Sequence, residues 1–126
     1  FEPIPVDKED GFYETTNYSY SMEEKDVELA EKPSLTVKDI LEVKKEYDKN
    51  NDKQPFISIV FTKEGAQKFY LMTKENIGKP IAIVIENHII SMPIVQSEII
   101  GGKAWISGDF SENDINRMIE RLKGNK

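Results

Sequence analysis

His88 is the single histidine of this chain, and it stands at the turn candidate Glu86-Asn87-His88. Metal ligation or general-base chemistry would need acids, a serine or a cysteine converging on that imidazole. The chain has no cysteine, which removes thiol catalysis, thiolate-ligated zinc and disulfides together. No HExxH helix, EF-hand loop or closely spaced aspartate cluster occurs in the sequence. Glu98 and Asp109 could be drawn together as a carboxylate pair, but their spacing does not separate that from two solvated charges. Gly101-Gly102 lacks the Lys-Ser/Thr that follows a phosphate loop, and it leads into a strand-like run where such a loop leads into a helix. Gly108, ahead of Asp109 and Phe110, reads as a backbone requirement at a strand exit. Trp105 reads as a sheet residue with its indole partly buried. No catalytic constellation, cofactor or metal site emerges.

The elements that would have to position any site are bounded by composition. A chain of 126 residues is the size of one domain and buries about 68% of its unfolded surface, enough for a core without staples. Residues 1–33 carry 10 acids and 3 bases, and residues 34–126 carry 13 acids and 14 bases. The negative charge therefore belongs to the leading segment. A near-neutral remainder without a basic cluster argues against nucleic acid as a partner. No stretch approaches the ~20 apolar residues of a membrane span. The first residue is Phe1 and not Met, which leads us to expect an upstream segment, absent here, that could carry a signal or an anchor.

Residues 1–32 hold Pro3, Pro5 and Gly11 among acids, with Phe12, Tyr13, Tyr18 and Tyr20 scattered through them. This reads as an acidic, flexible arm or linker with one strand near Asp26 to Glu31, and residues 1 to about 25 are expected to be dispensable for folding. The folded domain is expected over residues 33–126. A short helical turn at Thr36 to Ile40 is followed by alternation of Leu41, Val43 and Tyr47 with charged residues, then by the turn run DKNNDKQ and the β-branched FISIVF. Thr62 and Glu64 open a helix whose inward stripe is Ala66, Phe69, Thr73 and Ile77, with Met72 beside it. Gly78 and Pro80 end that helix. Residues 81 to 86 and 88 to 92 form a second hairpin, KAWIS a fifth strand. Ser111 with Asp114 caps a last helix that buries Ile115, Met118, Ile119 and Leu122. The expected order is ββαβββα, an α+β fold with helices on one face of a largely antiparallel sheet.

Residues 56–110 carry more than a sheet pattern. Phe61-Thr62-Lys63-Glu64-Gly65-Ala66-Gln67-Lys68-Phe69 resembles the head portion of the first large extracytoplasmic domain of SecD, the protein-export subunit of the SecD/SecDF family. The likeness continues through Asn76-Ile77-Gly78-Lys79-Pro80-Ile81-Ala82-Ile83-Val84 and Ile90-Ser91-Met92-Pro93-Ile94-Val95. It ends at Gly101-Gly102-Lys103-Ala104-Trp105-Ile106-Ser107-Gly108-Asp109-Phe110. Ser34-Leu35-Thr36 with Asp39-Ile40 is similar to the family's Leu-Thr-Gly entry, with Val37 where glycine is usual. Glu86-Asn87-His88 replaces the common Asp-Gly turn, and Met92 stands where a small residue is usual. Gly65, Gly78, Pro80, Gly101, Gly102 and Gly108 are the motif positions that shape the backbone.

The resemblance implies a non-enzymatic module of the periplasm or cell envelope. It implies binding of unfolded or translocating polypeptide, contact with other export components, and membrane association through a lipoprotein-type or other anchor upstream of residue 1. The alternative is a structural or regulatory interaction module of the envelope with no export role. The segment expected to hold a chain is Ile89, Ile90, Met92, Pro93, Ile94 and Val95. Proline cannot donate to a ladder, so Pro93 marks an edge, a bulge or a strand end. The competing reading of this segment is an internal strand with a bulge.

Overall fold

Phe12 and Tyr13 are neighbours, and in an extended chain neighbouring side chains leave on opposite faces. They are 3% and 1% exposed, so the strand that carries them lies inside a sheet covered on both sides. In this computed structural model, which describes residues 2–50 and 53–124, the chain begins with strands β1 (Ile4–Pro5), β2 (Gly11–Glu14) and β3 (Leu35–Thr36). A 3-10 turn at Val37–Asp39 is closed by a reciprocal cap between Thr36 and Asp39. The long hairpin β4 (Ile40–Asp48) and β5 (Gln54–Phe61) follows. Helix α1 is Lys63–Glu75, begun where the Thr62 hydroxyl accepts the Gly65 amide at 3.0 Å. Strands β6 (Ile81–Ile85) and β7 (His88–Ser91) form the second hairpin, and strand β8 (Lys103–Ile106) precedes helix α2 (Glu112–Leu122).

The fold is α+β, with antiparallel sheets and two helices, and from β4 onward the order is ββαβββα. The strands are divided between two sheets, however, and not gathered in one. Five strands run in the order β1-β7-β6-β2-β3 and three in the order β4-β5-β8. The reason lies in β2. Its two bulky residues need cover on both faces, and it fills the place beside β6. β8 pairs instead with β5, from Ile57 opposite Ile106 to Val60 opposite Lys103.

The expectation of a flexible arm over residues 1–32 is therefore corrected for the strands it contains. β2 pairs with β6 along its whole length, from Gly11 opposite Val84 to Glu14 opposite Ile81. Phe12 sits at the centre of an aromatic triad, with ring centroids 5.6 Å from Phe61 and 5.8 Å from Phe69. The acids of this segment also take partners. Asp10 receives both the Nε and an Nη of Arg121 at 3.1 and 3.0 Å, which ties it to the last turn of α2. The strand expected near Asp26 to Glu31 is instead a 3-10 turn at Glu24–Asp26 and a single bridge between Leu29 and Thr15.

All five residues of β6 are buried. Ile81, Ile83 and Ile85 face the main core, which lies between the two sheets and the helices. Ala82 and Val84 face a second cluster with Tyr13 and Ile89, closed over by Ile4, Val6 and Leu29. The leading segment is thus the cover that lets so short a hairpin be apolar on both faces. Glu86 and Asn87 both adopt positive φ, 56° and 59°, the geometry of the tight hairpin turn whose twist matches its strands.

Local corrections follow from register. A bulge between Ile40 and Glu42 turns Leu41 outward and leaves Ile40 in the core. In α1 the buried stripe is Gly65, Phe69, Met72 and Thr73, while Ile77, past the helix end, is half exposed. Gly65 is required by close approach, because a Cβ there would lie 2.6 Å from the Asp39 carbonyl oxygen. In α2 the capping box of Ser111 and Asp114 and the buried face of Ile115, Met118, Ile119 and Leu122 match the sequence pattern.

Candidate functional site

An apolar groove of about 310 Å³ opens between the end of the five-stranded sheet and the outer edge of β8. Its floor comes from elements that converge for core reasons: Phe12 of β2, Phe69 and Thr73 of α1, and Ile81 and Ile83 of β6. One wall is the segment from Pro93 to Ile99, and the other is Lys103, Ala104 and Trp105 of β8. The lips are unusually apolar for exposed positions: Ile94 is 47% exposed, Trp105 62% and the adjacent Ile100 81%. The expectation of a partly buried indole is corrected here. Trp105 alternates with buried Ala104 and Ile106, so it falls on the outward phase of β8.

The one hydroxyl of the groove floor is satisfied internally. The Thr73 hydroxyl donates to the Phe69 carbonyl at 2.9 Å and accepts the Ile99 amide at 2.9 Å. This pins the wall segment onto α1. Gly102 turns the chain from that wall into β8 with φ 68°, and a Cβ there would strike the Ala66 Cβ at 2.6 Å. Gly78 and Gly101 also adopt positive φ, 85° and 107°. Gly108 does not, and a Cβ there would press on the Phe110 ring.

The residues singled out for chain binding divide among three environments. Ile90 and Val95 belong to the main core, Ile89 to the second cluster, and Met92 packs half-buried against that cluster. Pro93 and Ile94 are exposed on the groove wall. The backbone of this segment is hydrogen-bonded along residues 78–81. The Ile81 amide donates to the Pro93 carbonyl at 3.0 Å, and the Val95 amide to Lys79 at 2.9 Å. Pro80 bridges to Ile94. Sequence reasoning placed the edge at residues 89–96 and passed over β8. The signal for β8 was present in Lys-Ala-Trp-Ile, where large and small residues alternate behind a double glycine.

The groups first considered for chemistry lie elsewhere. His88 is exposed, with Nδ1 2.9 Å from the Glu86 carbonyl, a contact that places the proton of the neutral ring on Nδ1. Among the described residues no three His, Asp or Glu side chains converge as metal ligands. Asp109 borders a separate polar cleft with Asp48 and Gln54, and Glu98 is exposed outside it. Lys45 Nζ and the Tyr47 hydroxyl each reach Glu112 at 2.7 Å. Lys45 first, then Tyr47, holds that carboxyl below the usual range. This exposed cluster fastens α2 to β4.

The chain is thus a two-sheet α+β domain with an open, mainly apolar groove. The family described as SecDF, P1 head subdomain, matches residues 13–125, and the chain belongs to that family. It is 38% identical over 91 residues to the protein translocase subunit SecDF of Thermus thermophilus, covering 72% of this chain and 12% of that protein. It is 41% identical over 69 residues to the protein translocase subunit SecD of Leptotrichia buccalis, covering 55% of this chain and 17% of that one. The chain thus spans a small part of the length of these relatives. Among solved structures, it is similar to one reported as "Structure and function of a membrane component SecDF that enhances protein export". There the TM-score is 0.69 at 33% identity, over 76% of this chain and 42% of that one. SecDF in a super-membrane-facing form gives 0.68 at 31%, over 81% and 13%. No helix among the described residues is long and apolar enough to cross a membrane.

Proposed function

We propose that this chain is a non-enzymatic, extracytoplasmic head module that holds unfolded or translocating polypeptide during protein export. The observation that carries the reading is the apolar groove rimmed by Ile94 and Trp105, with exposed Ile100 beside it. A mainly apolar cleft offers a water-to-protein transfer gain to any apolar side chain and discriminates little among them. That is the recognition a passing unfolded chain needs. The relatives' names as protein translocase subunits support the same reading. In this account a segment upstream of residue 1 holds the module at the membrane, near other export components.

The test is site-specific photocrosslinking in cells, with the full gene-encoded protein and a secretory protein stalled in transit. A photoreactive residue at Ile94 or Ile100 should capture the stalled client, and one at Lys63 should not. Capture of one folded envelope protein in place of the client would favour a structural or regulatory module. No capture, together with no binding of unfolded peptide at ~1 mM, the weak end of specific recognition, would remove the chain-binding role.

A further inference from the structure

β8 is the outer strand of the three-stranded sheet, and its free side borders the groove. Its hydrogen-bond phase is fixed by its partner. The Phe61 amide donates to the Gly102 carbonyl at 2.9 Å, so Phe61 and Gly102 form a bonded pair. In an antiparallel ladder bonded and non-bonded pairs alternate. Ala104 and Ile106 are then the residues that bond to β5 across from Ile59 and Ile57, and Lys103 and Trp105 are the non-bonded ones. The N–H and C=O of Lys103 and Trp105 therefore point away from β5, toward the groove side, and no backbone partner meets them among the described residues.

We propose that the occupant of the groove is an extended segment added as an antiparallel strand to β8. This rests on the chain-binding reading above and specifies its mode. The opposite wall cannot play this part, since Pro93 to Val95 already bond to residues 79–81. Protein sheets manage free edges with short length, charge or cover. β8 has the first two, being four residues long and led by Lys103. On its groove side it nonetheless presents a row of backbone donors and acceptors beside an apolar trough, the pair of features that strand addition uses. Backbone bonds would supply sequence-independent affinity. The trough would take every second side chain.

The geometry also fixes which side chains enter. Directly opposed residues in an antiparallel pair share a face. Residues of the guest that bond to Lys103 and Trp105 would thus project outward with them, next to the exposed indole. The intervening residues would fall beside Ala104, over Phe12, Phe69 and Ile83. The favoured guest alternates apolar and unrestricted positions, and the amides that face β8 belong to the unrestricted ones.

The probe is the peptide Lys-Val-Thr-Val-Thr-Val-Thr-Lys, compared with versions N-methylated at the threonine amides or at the valine amides. The full gene-encoded protein is titrated, and hydrogen exchange is read at the Lys103 and Trp105 amides. We expect exchange at both to slow on binding. Methylation at threonine should weaken binding about tenfold or more through lost bonds and a steric block, and methylation at valine should change it little. Equal binding of all three peptides with unchanged exchange would overturn strand addition and leave a groove that takes side chains only. A loss confined to valine methylation would overturn the antiparallel register. No binding of any peptide would overturn both the mode and the chain-binding reading on which it rests.

Discussion

Ile90 and Ile94 are one helical turn's spacing apart in sequence, yet a charge would act on them in opposite ways. Ile90 lies in the main core, 7% exposed, whereas Ile94 stands on the groove wall with its side chain half in water. Ile90→Asp buries a carboxylate with no partner and should cost several kcal/mol, seen as loss of the cooperative thermal transition. Ile94→Asp should cost less than about 1 kcal/mol and still weaken peptide binding, because it places charge on an apolar lip. The sequence pointed to both as one apolar run. Period-two alternation cannot distinguish them once Pro93 and the register shift at Ile83/Val84 break the phase.

Tyr13 shows what burial does to a titrating group. Its hydroxyl donates to the Glu9 carbonyl at 2.7 Å, and burial first, then the nearby Glu9 and Asp10 charges, pushes its pKa up to about 12. The ordinary value in the unfolded chain is about 10. The folded state thus holds the proton more tightly, and stability is lost as pH rises from about 10 toward 12. The fall begins near pH 10 and continues through the folded value. Chemical denaturation across this range should show that extra fall in the native protein and not in Tyr13→Phe.

At the scale of elements, the helices and the two hairpins were legible because their signals are local. Thr62 and Ser111 cap, and Ile115, Met118, Ile119 and Leu122 repeat at helical spacing, although α1 ends at Glu75 with Asn76 as its cap, ahead of the Gly78 expected to close it. Strand β2 was not legible. It is four residues of Gly-Phe-Tyr-Glu inside a segment rich in acid and proline. Its stabilisation comes from partners some 70 positions away in β6, which composition does not reveal. The same non-locality hid the division into two sheets and the free side of β8. The consequence is testable by truncation. Deleting residues 1–25 removes β1, β2 and the Phe12 ring that Phe61 and Phe69 pack against. It also uncovers Ala82, Val84 and Ile89. The melting temperature should drop by more than ~10 °C, if the product folds at all. Phe12→Ala alone should cost about 3 to 5 kcal/mol, as large-to-small core changes of this kind do.

For the whole molecule, the leading segment joins the sheet, caps its outer face and contributes Phe12 to the groove floor, so the groove depends on residues far apart in sequence. The two helices contact both sheets, α1 through β3 and β5 and α2 through β4, β5 and β6. In the function proposed above, this groove receives extended polypeptide. Its most direct test is an amide-resolved NMR titration of the protein with a permanently unfolded secretory polypeptide. Shifts are expected to be confined to residues 93–105, the Phe69–Thr73 face of α1 and the floor residues Phe12, Ile81 and Ile83, saturating with one another and weakened by Ile94→Asp. Shifts confined to the β4 and α2 surface around Lys45 and Glu112, or none at saturating polypeptide, would contradict it.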